Sequence, residues 1–472
     1  MAWFIAFLEG LSTLAVEVIA IRLAVPVVGS SATLNGITLA IVLLALSAGY
    51  WRGGTLSARW DGAHIQTALA RNLTLAAAFY GALAFPWEAR LLEKTLDWGL
   101  NVPLAIGLTA CLLFLLPVYL ASQTVPMLAE LTNSEGKAGK ASGRVLFFST
   151  LGSVVGGIVT PVGLFPKLGV QRTTYVVCAL LVIAGCIALG RARLTVSAAS
   201  VVGIVALLVA VDTSLVPKEQ GFSFDSAYQS FRIAAGEDDE GRAERILLLG
   251  GGRASGVYAD DGETSFTYIQ EAEKALSETR AANVLVIGAA GFTFPRDAAR
   301  LEWVRRIDAV DVDPAVKRIA ETEFLKQPLD SKVRFLPLSA RYALHKLRRD
   351  GNHYGLTFVD AYYGKGIPPE LLSVEFFSDV AAISDHVVLN VIMDGTVESD
   401  FAHNLLASCR HSFRSVWVKP LLVEDQRLVN VLVSNWPQDG STAWNGSGQE
   451  YRDNQSDADR DWVRLVWKRT ES

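Results

Sequence analysis

The sequence predicts a bundle of membrane-spanning helices followed by a soluble α/β domain built on a mostly parallel sheet. Three observations lead to this fold class. Residues 1–215 consist largely of long apolar segments. The later residues alternate short buried strands with helices, which is typical of doubly wound sheets. One of those strands ends in the small-residue turn Gly288-Ala289-Ala290-Gly291, and the next ends on Asp311, as in a nucleotide-binding βαβ unit.

Composition supports a membrane protein with an acidic soluble part. The chain has 472 residues, of which 51% are hydrophobic, and a mean hydropathy of +0.30, above the usual globular level. Residues 1–215 carry 13 Lys/Arg and 9 Asp/Glu, a net charge of +4, which leaves 30 and 39, a net charge of −9, for the rest. An acidic soluble half argues against nucleic acid as a partner and suits a cationic substrate.

The cysteines and histidines indicate neither disulfides nor a metal site. Cys111, Cys178 and Cys186 lie in apolar segments, and Cys409 alone lies in the soluble part. The six histidines are scattered without the spacing of metal ligands, so we predict no metal.

Seven apolar segments have about the length that a bilayer core requires. They cover residues 2–27, 33–51, 68–87, 102–120, 145–165, 173–190 and 194–211. The N-terminus lacks a basic region and a small-residue cleavage signal, and its apolar run exceeds a signal peptide, so we expect a retained first span.

Two features inside these spans allow more than one interpretation. Glu9 and Glu17 lie in the first span, where an ionisable residue is costly enough to indicate transport or binding. The alternative is that Glu17 pairs within the bundle while Arg22 reaches the interface. Gly152 and Gly156 either let two helices approach closely or are simply tolerated in an apolar helix.

The soluble half divides into three parts. Residues 222–265 form a small β-subdomain, in which strands 226–235 and 245–258 are joined through an acidic turn, and a polar helix follows at 264–279. Residues 266–436 form the Rossmann-like domain. Its strands are expected near residues 284–288, 306–313, 333–338, 355–360, 386–392, 414–420 and 427–434. Residues 437–472 form a flexible polar tail with a short element around 462–467.

Two carboxylates mark the carboxyl edge of this sheet. Asp311 ends the strand after the small-residue turn. Its sequence distance from that turn is about that expected for an acid that accepts both ribose hydroxyls, which predicts nucleoside binding. Asp360 follows the buried strand LTFV and precedes Tyr362, Tyr363 and a Gly/Pro-rich loop, so it faces the nucleoside pocket. Its alternative role is that of a helix N-cap or turn aspartate.

Seven segments resemble the spermidine synthase (polyamine aminopropyltransferase) family in order and spacing. They are SAYQSFRI, LLLGG, SFTYIQEAE, VLVIGAAG, AVDVDPAV, VRFLPLSARYAL and FVDAYYG, within residues 226–435. The first half also resembles the membrane region of bacterial proteins described as fused transporter and spermidine synthase, through LAVEVIAIRL, SAGYWRGGTLSARW and LPVYLASQTVPMLAEL.

The resemblance implies a class I methyltransferase-like fold behind a small N-terminal β-subdomain. It also implies transfer of an aminopropyl group from decarboxylated S-adenosylmethionine to a polyamine such as putrescine, with release of methylthioadenosine. Asp360 would be the catalytic acid/base. The nucleoside would be held by Gln229, Gly288, Gly291, Asp311 and Ser339, and the amine pocket would be lined by Tyr268, Tyr362 and Tyr363.

The chain departs from the family pattern at several positions. Gly291 stands where the family has the acid for the aminopropyl ammonium, Ser339 replaces an adenine-contacting aspartate, and Ile269 and Tyr363 replace a glutamine and a second aspartate. The donor arm would then be held by another acid, such as Asp297 or Glu302.

The same departures keep two further functions open. Arg296 and Lys365 would suit the carboxylate of intact S-adenosylmethionine, and hence a methyltransferase. A transporter or sensor that binds a nucleoside or polyamine without turnover is the other alternative.

The implied partners are a polyamine and the lipid bilayer, with oligomerisation left open. Eight Lys or Arg residues lie in the loops on one side of the predicted spans and five on the other. For a seven-span chain, the tendency of positive loops to face the cytoplasm then places the soluble domain outside. Because the donor is intracellular, we nevertheless expect a multi-pass protein of the bacterial inner membrane with its soluble domain in the cytoplasm.

Overall fold

The chain folds into two compact units, Met1–Glu219 and Gln220–Ser472. The computed structural model describes residues 1–28, 32–81, 87–133, 136–189, 222–238, 240–363, 366–423 and 426–467.

The described part of the first unit is helical. Its helices are α1 (Ala2–Val28), α2 (Ala32–Ser57), α3 (Gly62–Phe79), α4 (Glu88–Asp97), α5 (Val102–Ser122), α6 (Thr124–Leu131), α7 (Ala138–Val159) and α8 (Phe165–Leu189), with a π-helical turn at Thr160–Leu164 between the last two.

Four helical stretches in the described residues are long and apolar enough to cross a membrane: Ala2–Val25, Ala32–Ser57, Val102–Leu131 and Ala138–Leu189. The last is 52 residues long and contains the fifth span expected from the sequence and the sixth as far as Leu189. The third expected span corresponds to α3, which begins six residues earlier and is not among these four. The expected span 194–211 lies outside the described residues.

Glycines bring α1 and α7 into backbone contact. A Cβ on Gly152 would lie 2.1 Å from the carbonyl oxygen of Phe7, and one on Gly156 would lie 2.3 Å from that of Leu11. From the other side, a Cβ on Gly10 would lie 1.9 Å from the carbonyl oxygen of Ser149. Of the two interpretations of this glycine pair, the structure therefore selects close helix approach.

The second unit begins with a four-stranded antiparallel sheet. Its strands are β1 (Phe222–Asp225), β2 (Ser230–Glu237), β3 (Ala243–Leu249) and β4 (Gly252–Tyr258), in sequential order. The single strand expected at 245–258 is wrong, because Gly250 and Gly251 adopt φ of 53° and 83° and turn the chain back on itself.

An eight-stranded mixed sheet follows. Its strands are β5 (Asn283–Ile287), β6 (Arg306–Asp311), β7 (Val333–Pro337), β8 (Tyr354–Val359), β9 (Ser384–Asp394), β10 (Trp417–Pro420), β11 (Leu428–Ser434) and β12 (Thr442–Ala443), in the spatial order β12-β10-β11-β9-β8-β5-β6-β7. Strands β5 to β9 are parallel, and the remaining three pair antiparallel. This is the predicted methyltransferase-like sheet, with its parallel strands buried on both faces.

Helices cover both faces of that sheet. They are α9 (Thr267–Thr279), α10 (Thr293–Ala299), α11 (Ala315–Ile319), α12 (Ala340–Arg349), α13 (Val374–Ala381), α14 (Asp400–Ser412) and α15 (Ala458–Trp467). One apolar core contains helices α9, α10 and α11 together with the four-stranded sheet. A second core contains helices α12, α13, α14 and α15.

The polar segment after Pro437 differs from the expected flexible tail. Tyr451 is 1% exposed and Trp462 is 7% exposed, and both pack into the core that contains Phe401. The Tyr451 hydroxyl donates to Asp461 at 3.0 Å. A few buried aromatic side chains therefore fix a segment whose overall composition indicated disorder.

Candidate functional site

Three adjacent strand ends build the site. Strand β5 pairs with β6 on one side and β8 on the other, all in parallel, so their carboxyl ends meet at one edge. With neighbouring strands about 4.8 Å apart, the ends of β6 and β8 are separated by about 10 Å. Asp311 ends β6 and Asp360 directly follows β8, so the two predicted acids flank the turn after β5.

The turn itself requires glycine at its first position. Gly288 has φ of 88°, and a Cβ there would lie 2.2 Å from the carbonyl oxygen of Asp360. The turn continues with Ala290 at φ of 37° and Phe292 at φ of 56°. Left-handed conformations of non-glycine residues cost about 1–3 kcal/mol each and concentrate at functional sites. The buried Phe292 side chain stabilises the turn by packing edge-on against Phe335, with ring centroids 5.6 Å apart.

Asp311 is oriented by backbone donors. The amide of Asp313 donates to Oδ1 at 2.9 Å, and the amide of Ala289 donates to Oδ2 at 3.3 Å. Burial raises the pKa of Asp311 to about 6, although these amides oppose the shift. The remaining lone pairs of the carboxylate are suited to accept two hydroxyl donors, as a ribose diol supplies.

The turn carrying Gln229 is fixed against the same strand end. The Ser226 hydroxyl donates to Asp313 Oδ2 at 2.5 Å, and the Ser226 amide donates to the Gln229 carbonyl at 2.9 Å. Asp313 also accepts from the Ala315 amide at 2.9 Å, at the start of α11. Gln229 itself is buried, at 8% exposure. Because its turn is hydrogen-bonded to Asp313, two residues after Asp311, the predicted nucleoside contact and Asp311 belong to one region of the unit.

Asp360 is a buried carboxyl group held by two side chains. It is 9% exposed, and it accepts from the Tyr268 hydroxyl at 3.0 Å and from Asn390 Nδ2 at 2.8 Å. Burial raises the pKa of Asp360 to about 6, and both hydrogen bonds counteract part of the shift. Among the described residues, the Asp360 side chain accepts from these two side chains and from no backbone amide, as an N-cap or turn aspartate would.

Asn390 was not predicted from the sequence. It lies in the centre of β9 at 2% exposure, and its Oδ1 has no hydrogen-bond partner among the described residues. A signal was present, because Asn390 is a single polar residue within the apolar run VVLNVIM. A buried amide in such a strand requires partners, and here its Nδ2 orients the carboxyl group of Asp360.

The two tyrosines after Asp360 contact the backbone on either side of the site. The Tyr362 hydroxyl donates to the Asn390 carbonyl at 3.2 Å and accepts from the Ile392 amide at 2.8 Å. Burial and the charge of Asp360 raise the pKa of Tyr362 well above its usual value. The Tyr363 hydroxyl donates to the Tyr228 carbonyl at 3.0 Å. The segment that follows Asp360 is thereby attached both to β9 and to the small sheet.

Ser339 and Gly291 were also expected to contact the nucleoside, and one is exposed while the other is buried. Ser339 is exposed at the start of α12, after β7, whose last residue pairs with Asp311. Gly291 is buried, and its amide donates to the Ser255 hydroxyl at 3.1 Å. A Cβ at position 291 would lie 2.6 Å from Ser255 Cβ and 2.5 Å from the Phe324 ring. The space that an acidic side chain would occupy at this position is therefore filled by Ser255 and Phe324.

The charged groups suggested as replacements near this turn are already paired. Asp297 accepts two hydrogen bonds from Arg296, at 2.8 and 2.7 Å, and lies 3.1 Å from Arg300. Arg296 also donates to the Gly262 carbonyl at 2.7 Å. Both side chains are thus engaged with protein groups, and the binding of a donor ammonium by Asp297 or of a carboxylate by Arg296 stays a prediction. Glu302 is exposed, and Lys365 lies outside the described residues.

No metal site is formed by the described residues: no group of three or more His, Cys, Asp or Glu side chains there is arranged to hold an ion.

Comparisons with known proteins agree with the motif pattern over part of the chain. No family model matches. A polyamine aminopropyltransferase from Vibrio vulnificus (strain CMCP6) is 32% identical over 96 residues, which are 20% of this chain and 32% of that protein. The chain therefore matches about a third of the length of this curated relative.

Solved structures with 16% sequence identity are similar as well. A probable spermidine synthase from Corynebacterium glutamicum ATCC 13032 matches over 54% of this chain and 96% of its own, with a TM-score of 0.38. Spermidine synthase from Thermotoga maritima matches over 46% and 73%, with a TM-score of 0.36. The resemblance inferred from the motifs is confirmed by the 96-residue match, over which this chain is similar to a polyamine aminopropyltransferase.

Proposed function

We propose that this chain is a membrane-integral aminopropyltransferase of the spermidine synthase type. The observation that carries the proposal is the Asp360 carboxyl group, buried beside the Gly288 turn and held by Tyr268 and Asn390. On the other side of that turn, Asp311 has its lone pairs available for a ribose. We expect a nucleoside whose ribose binds Asp311 to reach Asp360 with its 5′ substituent, since about 10 Å separates the two strand ends.

The reaction is a displacement at carbon. The neutral amine of a polyamine such as putrescine attacks the methylene group bonded to the sulfonium of decarboxylated S-adenosylmethionine. A carbon–nitrogen bond forms, and the carbon–sulfur bond breaks with its electron pair going to sulfur. The products are methylthioadenosine and a protonated secondary amine. The single proton released overall is the one that Asp360 takes from the bound substrate ammonium before the attack and then passes to solvent. No metal takes part in this scheme.

Asp360 has properties that suit this work. An alkylamine is mostly protonated near neutral pH, so a base must orient it and take up its proton. A pKa of about 6 keeps Asp360 ionised at neutral pH and closer to the operating pH than an ordinary aspartate. Tyr268, Tyr362 and Tyr363 would line the amine pocket, with Tyr268 fixing the carboxylate through its hydroxyl.

Methyl transfer from intact S-adenosylmethionine is a second candidate function, and the surroundings of Gly291 are the observation that supports it. Because Ser255 and Phe324 fill this position, the acid that would pair with an aminopropyl ammonium is missing. Both donors share the adenosyl sulfonium, and they differ only in the arm. The reaction products separate them, since aminopropyl transfer releases methylthioadenosine and methyl transfer releases S-adenosylhomocysteine.

We place the protein in the inner membrane of a bacterium with the soluble unit in the cytoplasm. The four long apolar helical stretches support anchoring in a bilayer, and an adenosyl sulfonium donor is available only inside the cell. Its partners are then lipid and a polyamine.

The test uses the full chain, purified in detergent, with decarboxylated S-adenosylmethionine and putrescine. We expect methylthioadenosine to be released by the wild type and to fall to background in Asp360→Asn. Asp385→Asn is a matched control, because this aspartate is 60% exposed at the start of β9, and it should leave the rate unchanged. Failure to release methylthioadenosine with any amine would refute aminopropyl transfer, and release of S-adenosylhomocysteine instead would establish the alternative.

A further inference from the structure

A carboxyl group lies buried inside the helical unit. Glu9 is 1% exposed and is the eighth residue of α1, so it lies about 10 Å along the helix from its first residue. Helix α1 is one of the stretches long and apolar enough to cross a membrane. Ionisable side chains at such depth are rare and mark sites of ion or substrate binding.

The contacts of Glu9 are hydroxyl groups. Thr13 Oγ1 donates to Oε1 at 3.2 Å, and Ser149 Oγ on α7 donates to Oε2 at 3.0 Å. Within the described ranges, no ion pair joins Glu9 to a lysine, arginine or histidine. Among the described residues of neighbouring helices, the Tyr50 phenol of α2 is a titratable group that interacts with the Glu9 charge. Ser12, one turn along α1, has a fully buried hydroxyl with no hydrogen-bond partner in the described residues.

The backbone around Glu9 packs closely against α7. Gly10 contacts the Ser149 carbonyl so closely that a Cβ there would lie 1.9 Å from its oxygen. The Ser153 hydroxyl donates to the Gly10 carbonyl at 3.1 Å. Helices α1 and α7 therefore hold the Glu9 and Ser149 side chains in register.

Such a carboxyl group cannot remain charged and alone. An ionised carboxylate in an apolar interior is strongly disfavoured unless a positive charge compensates it, and two neutral hydroxyls do not supply one. Either a proton occupies the group or a cation lies beside it. The hydroxyls of Thr13 and Ser149 serve both forms, since a hydroxyl donates to a carboxylate and accepts from a carboxylic acid.

We propose that Glu9, Thr13 and Ser149 form a site in the helical unit that binds one positive charge and exchanges a proton for a small cation. The exchange balances: the neutral carboxylic acid and a cation give a carboxylate–cation pair and a free proton. The ligand class is a small monovalent cation or the ammonium group of an amine, both of which a single carboxylate with hydroxyl neighbours can hold. This site is independent of the transferase function.

The test measures the carboxyl group directly in the full-length protein in lipid nanodiscs. Infrared difference spectra are recorded as sodium chloride, potassium chloride or putrescine is added, and proton release is followed with a pH-sensitive dye. We expect a protonated-carboxyl band in the wild type that decreases on cation addition, together with release of one proton per chain. A response to putrescine alone identifies an amine ligand, and a response to the salts identifies an alkali cation.

Glu9→Gln keeps the shape of the side chain and both hydroxyl contacts but cannot ionise, so it should lose the band and the proton release. Glu93→Gln is the matched control in the same unit, where the side chain is exposed on α4, and it should retain both. The wild-type-minus-variant spectrum also separates Glu9 from Glu88, another buried carboxyl group of this unit.

A second variant covers the case in which Glu9→Gln does not assemble. Ser149→Ala removes one donor to the carboxylate, and a hydrogen bond to a charged group is worth about 1.5–3 kcal/mol, so at least about tenfold more cation should be needed for the same response. The proposal is overturned if no cation changes the wild-type carboxyl band, or if Glu9→Gln keeps the wild-type response.

Discussion

Replacing Asp360 by asparagine should stabilise the soluble unit while removing its catalysis. The folded structure raises the pKa of this aspartate from 3.8 to about 6 by burying it. A raised carboxyl pKa means that the folded state binds a proton more tightly than the unfolded state, so stability is lost as pH rises from about 4 to about 6 and stays lost above that range. At 1.36 kcal/mol per unit, the destabilisation at neutral pH is about 3 kcal/mol.

Asparagine can keep the hydrogen bonds of Asp360 without the charge. Its Oδ1 still accepts from Asn390 Nδ2, and its amide group can donate to the Tyr268 oxygen, since the Tyr268 hydroxyl also lies 3.2 Å from the Ala254 carbonyl. The variant therefore isolates the cost of burying a charge from the cost of leaving a partner unsatisfied.

Hydrogen-exchange mass spectrometry of the full-length protein confines the measurement to peptides from β5 and β8. At neutral pH, exchange from globally protected amides in these strands should be about a hundredfold slower in Asp360→Asn than in the wild type. Near pH 4 the two proteins should exchange alike. Transfer activity should fall by about 10²–10⁴, the usual contribution of a positioned base. Faster exchange in the variant at neutral pH, or undiminished activity, would refute this account of Asp360.

Three further variants test neighbouring parts of the site. Asp311→Asn should weaken methylthioadenosine binding by at least about tenfold in calorimetry, because hydrogen bonds to a charged group are worth about 1.5–3 kcal/mol; unchanged affinity would remove Asp311 from the ribose site. Tyr268→Phe removes a donor that lowers the pKa of Asp360, so the acid limb of the kcat/KM profile, expected near pH 6 in the wild type, should move to higher pH, and an unmoved limb would contradict the contact. Gly291→Asp should lower the free energy of unfolding by about 1–3 kcal/mol, measured by chemical denaturation, because its Cβ would lie 2.6 Å from Ser255 Cβ, and a gain in transfer activity with unchanged stability would show that the space is open.

The site was predictable where one residue type has a nearly unique role. Gly288 and Asp311 follow from a strand, a small-residue turn and a second strand that ends on an acid, a local pattern that fixes their relation in space. Asp360 lies far away in sequence, but its position after a buried parallel strand brings it to the same edge. The contacts that tune it were not predictable, because Tyr268 and Asn390 reach Asp360 from α9 and β9 only once the sheet is assembled.

The roles of the charged residues after the turn could not be read from the sequence. Asp297 and Arg296 are close enough in sequence to the turn to suggest ligand binding, yet each neutralises the other on α10. The sequence shows a charge and not the direction of its side chain, and a helix turns adjacent residues by about 100° relative to one another.

By itself, the sequence determined the two-part architecture, because apolar length and the period of buried residues are local properties that burial in lipid or in a sheet imposes on every segment. It likewise determined the strand ends that carry Asp311 and Asp360. The tertiary structure alone decided that Gly291 lies in a filled space, that Tyr451 anchors the polar C-terminal segment, and that Glu9 faces Ser149 across a glycine contact. Those outcomes depend on which distant side chains share a volume, and close packing settles that only for the whole fold at once.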